Sequence, residues 1–217
     1  MGIGVYKNVS QKDIEEKRYT SEGKTYDLNH NADLVVDMKF KGQENAKNNS
    51  EINSQGWERD QKYYFNELST RHPEYFSEKN KKNIENGKAP IVDGRFIKHF
   101  PEYKSFKGET LVHHHIGGDG QAVAIPKSMH KGFGEIHNEE KKLGITKNGQ
   151  DFSRDCEKYC TQNPSAYGKT SGQLKNEMEK ERSSEFNVPL RNGNSKNKNC
   201  EQESEKKEYN QDMNRSR

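Results

Sequence analysis

The chain has 217 residues, with 37 basic and 34 acidic side chains and a formal net charge of +3 at pH 7. Only 27% of its residues are apolar or aromatic, which is too few for the whole length to form one large core and predicts partial disorder. The near balance of charge gives none of the overall basic bias typical of a dedicated nucleic-acid-binding domain, although a local basic patch remains compatible with it. No apolar run approaches the ~20 residues of a membrane-spanning helix, and no signal-peptide pattern follows Met1.

Apolar residues are concentrated between Trp57 and Ile145 and almost absent after Asn187. This distribution predicts an N-terminal extension and linker (1–56), a folded domain (57–147), and a C-terminal region (148–217) that is helical and then a low-complexity polar tail. Within the extension, residues 32–40 are typical of a strand and residues 41–56 of a linker. The three cysteines, an odd number without framework spacing, argue against a disulfide scaffold.

The first half of the predicted domain favours short helices. A stripe of apolar residues predicts a helix from Trp57 to Leu68, and the His72-Pro73 pair ends it. Ser77 and Asp93 are suitable N-caps for two further helices.

A β-hairpin followed by a helix is predicted in the second half. Residues 110–116 and 121–125 favour strands, and the glycine-rich sequence 117–120 between them favours a turn. Pro126 suits the first turn of a helix over 128–143, which Gly132 and Gly134 weaken. The fold class expected is therefore α+β: a mainly helical small domain around a ββα core, with partly disordered terminal extensions.

Five of the eight histidines lie within 25 residues, at positions 113, 114, 115, 130 and 137. Imidazole is a common ligand for transition metals and a general base near neutral pH. In a strand, His113 and His115 point to one side and His114 to the other. We expect one histidine of the triplet to join His130 and His137 on a metal ion, while a neighbour activates water. The acidic residues of the following helix, Glu135, Glu139 and Glu140, are expected on its solvated face.

The order of these residues resembles the ββα-metal nucleases of the HNH/endonuclease VII superfamily, and most closely the HNH toxins with a His-His-His signature. The resemblance implies that His113, His130 and His137 bind the metal and that His114 is the general base. His115 and Gln121 would support them, with Gln121 or Asp119 nearest to the place of the Asn in the HNH motif. Lys127 and Lys131 would contact phosphate groups of the nucleic acid.

A protein of this kind would be a metal-dependent endonuclease that hydrolyses phosphodiester bonds, with DNA favoured, and an antibacterial toxin effector. One divalent ion is expected, Zn²⁺ or Ni²⁺ by ligand type, with Mg²⁺ also compatible. A cognate immunity protein would be its partner, and it would be secreted or delivered into the cytoplasm of a target cell without a signal peptide; otherwise it would be cytoplasmic. Two alternatives stay open: a non-catalytic binding module stapled by zinc, and a housekeeping HNH endonuclease.

Overall fold

A computed structural model describes residues 19–21, 24–26, 33–130, 135–142 and 144–186. The disorder expected for the polar tail after residue 187 concerns residues outside these ranges, as does the part of the expected N-terminal extension at 1–18, 22–23 and 27–32. The strands are β1 Tyr19–Ser21, β2 Lys24–Tyr26, β3 Val36–Asp37, β4 Leu111–His115 and β5 Gln121–Pro126. The helices are α1 Gln43–Ala46, α2 Gln61–Arg71, α3 Glu78–Glu85, α4 Gly94–His99, α5 Lys127–His130, α6 Glu135–Lys142, α7 Ile145–Gln162 and α8 Ser171–Phe186.

The expected hairpin is present as β4 and β5, which pair antiparallel with His114 opposite Val123. β3 joins the other side of β5, with Val36 opposite Ala122, so the sheet has the order β3-β5-β4. The fold class expected from the sequence, a mainly helical α+β domain around this hairpin, is confirmed. Among the described residues of the strand expected over 32–40, only two are regular, and isolated bridges continue it at Lys39 and Phe40.

Side-chain caps set the helix starts, as expected for two of them. Ser77 accepts a hydrogen bond from the Asn80 N–H, and Asp93 accepts two from the first turn of α4. The helix expected from Trp57 instead begins at Gln61, because Asp60 is its N-cap. Trp57 is buried beside Phe40, in an edge-to-face contact with 4.8 Å between ring centroids.

The predicted helix over 128–143 is replaced by two helices, α5 and α6, with 131–134 outside the described residues. Pro126 does not open a helix; it is the last residue of β5, opposite Leu111. Proline is tolerated at such a strand end because the ladder stops there. His130 and His137 therefore belong to different helices.

Two clusters of buried apolar side chains form the core. The larger contains residues of the sheet together with residues of α2, α4 and α6. The smaller one contains Phe40 and Trp57 together with residues of the C-terminal region: Cys156, Cys160, Ala166, Leu174 and Met178. Because Leu34, Val36 and Met38 are also buried, residues before the boundary expected at 57 contribute to the packing.

Candidate metal centre

The three consecutive histidines of β4 point to opposite faces of the sheet, as the alternation of a strand requires. The rings of His113 and His115 lie on one face, with centroids 5.6 Å apart. On that face the His113 ring stacks on Tyr64 of α2 at 5.7 Å. His114 points the other way, towards α5 and α6, and is fully buried.

His114, His130 and His137 form a compact cluster. Their ring centroids are 5.3 Å (114 to 130), 4.9 Å (114 to 137) and 5.4 Å (130 to 137) apart. Each ring offers one nitrogen, and these three nitrogens lie within 4.8 Å of one another. Imidazoles from a strand and two helices therefore converge on one point.

His113, assigned to the metal by the resemblance, is thus not in the group that the structure brings together. Its neighbour His114, expected as the base, lies beside His130 and His137 instead. The physical reason is the strand alternation: only one face of β4 is covered by α5 and α6, and position 114 is on that face. Sequence alone could not say which face these helices would cover.

Glu140 is the residue that the sequence reasoning missed. Expected on a solvated face, it is instead fully buried in the core beside the histidines. Its Oε1 accepts hydrogen bonds from His114 Nε2–H and from the Gly117 backbone N–H, both at 2.8 Å. Its Oε2 lies 3.6 Å from His137 Nδ1. The signal available was its position three residues after His137, on the same side of a helix.

The charge of Glu140 is stabilised by these partners. Burial by itself would raise the pKa of the carboxyl, but the neighbouring His114 and His137 imidazoles and the hydrogen bonds from His114 and Gly117 lower it to about 2. The group is therefore a carboxylate at neutral pH and can only accept hydrogen bonds.

The donor set fits a transition-metal ion. Because the Glu140 carboxylate accepts from the Nε2–H of His114, Nδ1 is the nitrogen of that ring which remains for an ion. That Nδ1 is buried and has no hydrogen-bond partner among the described residues. Burial, with the nearby His114 and His137, lowers the pKa of His130 to about 4, so His130 is neutral and able to ligate at pH 7. Three imidazoles would suit Zn²⁺ or Ni²⁺ and would leave room in the ion's coordination for a substrate.

His115 is held by the turn that follows it. Its Nδ1–H donates to the Asp119 main-chain carbonyl at 2.8 Å, so Nε2 is the ring atom that can accept a proton. Burial lowers the pKa of His115 to about 4, although the bond to Asp119 opposes the shift. For His113, burial and the neighbouring His115 and His130 lower the pKa to about 3. Both rings are neutral at pH 7.

Gln121, expected near the place of the HNH Asn, lies elsewhere in the hydrogen-bond network. Its side-chain amide donates to Asp37 Oδ1 at 2.8 Å, and the ring of His115 is oriented by the Asp119 carbonyl instead. The carboxyl of Asp119 has its pKa raised to about 7, mainly by burial and further by the nearby Asp37.

Lys127 begins α5 beside a surface groove, which Gly108, Glu109, Thr110 and Ser128 also line. Its backbone N–H donates to the Thr110 carbonyl, which joins the start of α5 to the strand. Lys131 lies outside the described residues, and contact of either lysine with phosphate stays a prediction.

The turn between β4 and β5 is packed tightly against α7. Gly117 has φ 61°, and a Cβ there would lie 2.8 Å from the Ile145 side chain. Gly149 of α7 approaches the same turn, since a Cβ there would lie 3.1 Å from the Gly117 carbonyl oxygen. The two glycines thus allow the turn and α7 to approach closely, and this contact holds the end of β4 in place.

Residues 32–138 match the family model described as the HNH/Endo VII superfamily nuclease toxin with a HHH motif. The resemblance drawn from the histidine strand, the hairpin and the later histidines is thereby confirmed. No curated protein and no solved structure matches the chain. Among the described residues, no helix combines the length and the apolar character needed to cross a membrane.

Proposed function

We propose, from the membership of residues 32–138 in the HNH/Endo VII superfamily of nuclease toxins with a HHH motif, that this protein is a metal-dependent endonuclease acting on DNA. It would serve as an antibacterial effector, delivered into a target cell and neutralised in the producing cell by an immunity protein. The observation that carries the proposal is the convergence of His114, His130 and His137 on one point.

These three histidines would hold the divalent ion, with His114 in the place first expected for His113. A bound ion would stabilise the negative charge that develops on the phosphate and on the leaving oxygen during hydrolysis. By its nitrogen ligands the site favours Zn²⁺ or Ni²⁺, and Mg²⁺ remains compatible with turnover.

His115 is the base we assign within this arrangement. It follows His114 in the strand, but its ring lies beside His113 on the other face of β4, so this assignment requires the end of the strand to turn towards the ion when substrate binds. Its Nδ1–H is fixed on the Asp119 carbonyl. Its Nε2 would accept a proton from the attacking water as the water oxygen forms a bond to phosphorus. The P–O bond to the 3′ oxygen breaks, and that oxygen leaves with the bonding electron pair and takes a proton from solvent. His113, stacked on Tyr64, would support the strand.

The test compares three alanine variants on plasmid DNA and on RNA, with metal affinity measured beside cutting. We expect His114→Ala to lose both metal affinity and cutting, and His115→Ala to lose cutting while it keeps metal affinity. His113→Ala should keep metal affinity. The reverse pattern, in which His113→Ala loses the metal and His114→Ala keeps it, would restore the assignment first drawn from the sequence.

The zinc-stapled binding module is the alternative that the same experiment addresses. A structural zinc site takes four protein ligands, whereas the cluster among the described residues offers three imidazoles. The alternative of a structural zinc site would be favoured if the wild-type protein fails to cut nucleic acid with any divalent ion and unfolds when metal is removed. Growth arrest on expression in a bacterial host, absent in the His115→Ala variant, would favour the toxin over a housekeeping endonuclease.

A further inference from the structure

We propose that Glu140 is a positioning residue that sets the protonation and orientation of two metal ligands, His114 and His137. This inference rests on the proposed function, because it concerns how the same site holds its ion. Glu140 lies beyond residue 138, where the family match ends, so membership of the family does not assign it a role.

One carboxylate meets three potential donors. Oε1 accepts from His114 Nε2–H and from the Gly117 N–H, each at 2.8 Å, while Oε2 faces His137 Nδ1 at 3.6 Å. The side chains of His114 and Glu140 are 0% and 1% exposed, so water does not compete for these contacts. A buried charge is stable only where it is partnered. Glu140 Oε2 is buried without a hydrogen bond among the described residues, and His137 Nδ1 at 3.6 Å is the imidazole nitrogen that faces it.

The consequence for metal binding comes from hydrogen-bond direction. A carboxylate accepts and does not donate, so each imidazole that faces it must present an N–H. His114 then offers Nδ1 as its ligand atom, and His137 offers Nε2. Carboxylate partners of this type orient metal-binding histidines and raise their basicity.

The same contacts join the two halves of the site. His137 and Glu140 are three residues apart on one face of α6, while His114 and Gly117 belong to the hairpin and its turn. Glu140 therefore fixes the distance between the hairpin ligand and the helix ligand. A loose helix would leave the three ring nitrogens too far apart for one ion.

The isosteric change Glu140→Gln tests this role of Glu140. A carboxylate can accept hydrogen bonds at both oxygens, whereas an amide accepts at its oxygen and donates at its NH₂ group, so it cannot accept from His114 and from His137 together. With its oxygen towards His114 and Gly117, its NH₂ group faces His137 Nδ1 and favours the tautomer whose Nε2 is protonated and cannot ligate. With the amide reversed, the NH₂ group faces two N–H donors. Either orientation disables one ligand or breaks two hydrogen bonds.

The experiment measures zinc affinity of the full chain by competition with a chromophoric chelator, alongside plasmid cutting. We expect Glu140→Gln to lower zinc affinity by about 10–100-fold and cutting to recover as zinc is raised. Glu85→Gln, at an exposed carboxylate at the end of α3, is the matched control and should change neither.

Wild-type zinc affinity in Glu140→Gln would overturn the inference. A wild-type protein that binds no metal, or binds it equally well as His114→Ala, would instead refute the proposed function.

A second measurement needs no variant and keeps the inference falsifiable if Glu140→Gln does not fold. Nitrogen NMR of the histidine rings in the wild-type zinc-loaded protein should show His114 protonated at Nε2 and His137 protonated at Nδ1. The second assignment is the sharper one, because a neutral histidine in water prefers the proton on Nε2. A proton on Nε2 of His137 in that state would overturn the role of Glu140.

Discussion

Trp57 donates its indole N–H to the hydroxyl of Ser153 across 2.8 Å, and both side chains are fully buried. The bond joins the segment before α2 to α7, which lies outside the family match. It shows that the C-terminal helices are packed into the same structure as the histidine hairpin. Their contribution can be measured as stability and as activity.

Ser153→Ala should lower the free energy of unfolding by about 1–3 kcal/mol, because the buried indole N–H would lose its acceptor. Chemical denaturation at pH 7 measures the change. Ser54→Ala, at an exposed position, is the control and should leave the midpoint within experimental error of the wild type. Equal midpoints for the two variants would contradict the structural role of this bond.

Gly149→Val should reduce cutting and lower the free energy of unfolding by about 1–3 kcal/mol, since overpacking at a close contact forces the backbone apart. The new side chain would meet the Gly117 carbonyl and Asp119, and would displace the turn that orients His115. Lys147→Ala, at an exposed position on the same helix, should affect neither. A fully active Gly149→Val protein would show that the turn tolerates movement.

Removing the metal should abolish cutting and lower the thermal unfolding midpoint of the wild-type protein. Binding to the folded state alone stabilises a protein by about 2.7 kcal/mol when the free metal is at 100 times its dissociation constant. His114→Ala should show the low midpoint with or without a chelator, because its ligand set is incomplete. A chelator that shifts both proteins equally would place the ion elsewhere.

The titration of Asp119 makes the free energy of unfolding fall as the pH rises. Its pKa is raised from 3.8 to about 7 in the folded protein, so folding favours the protonated form. The contribution of the protonated Asp119 carboxyl to the free energy of unfolding is therefore fully present below about pH 4. It is lost as the pH rises through about 7. Solvent reaches the half-buried side chain, so we expect a loss of roughly 1–2 kcal/mol.

The measurement compares the wild type with Asp119→Asn by denaturation at several pH values. Because asparagine does not titrate, the wild type should lose stability relative to the variant between about pH 4 and 8 and then stay constant. A difference that does not change with pH, or that grows in favour of the wild type, would contradict the raised pKa.

Local chemistry made much of the fold predictable from sequence. The hairpin follows from the glycine turn between two β-rich segments, and the starts of α3 and α4 follow from the caps at Ser77 and Asp93. The resemblance carried by the histidines also agrees with the family model that matches residues 32–138. These features depend on residues close together in the chain.

The features that were missed depend on docking between distant elements. Glu140 is a charged residue of the kind usually found on the solvated face of a helix, and it becomes buried only when α6 packs on the hairpin. The choice between His113 and His114 as the metal ligand stays a prediction, and it likewise depends on which face of the sheet the helices cover. Trp57 looked like a helix residue, yet its packing against α7 holds it in a separate strand-like segment.

The buried cysteines of α7 have a practical use. Cys156 and Cys160 are free thiols inside the smaller apolar cluster, and burial raises the pKa of both above the ordinary value. An alkylating reagent can reach them only when α7 and α8 separate from Trp57 and Phe40. The rate of labelling at these two positions in native buffer, measured in a Cys200→Ser variant, would therefore report how often the C-terminal pair of helices opens, without any denaturant.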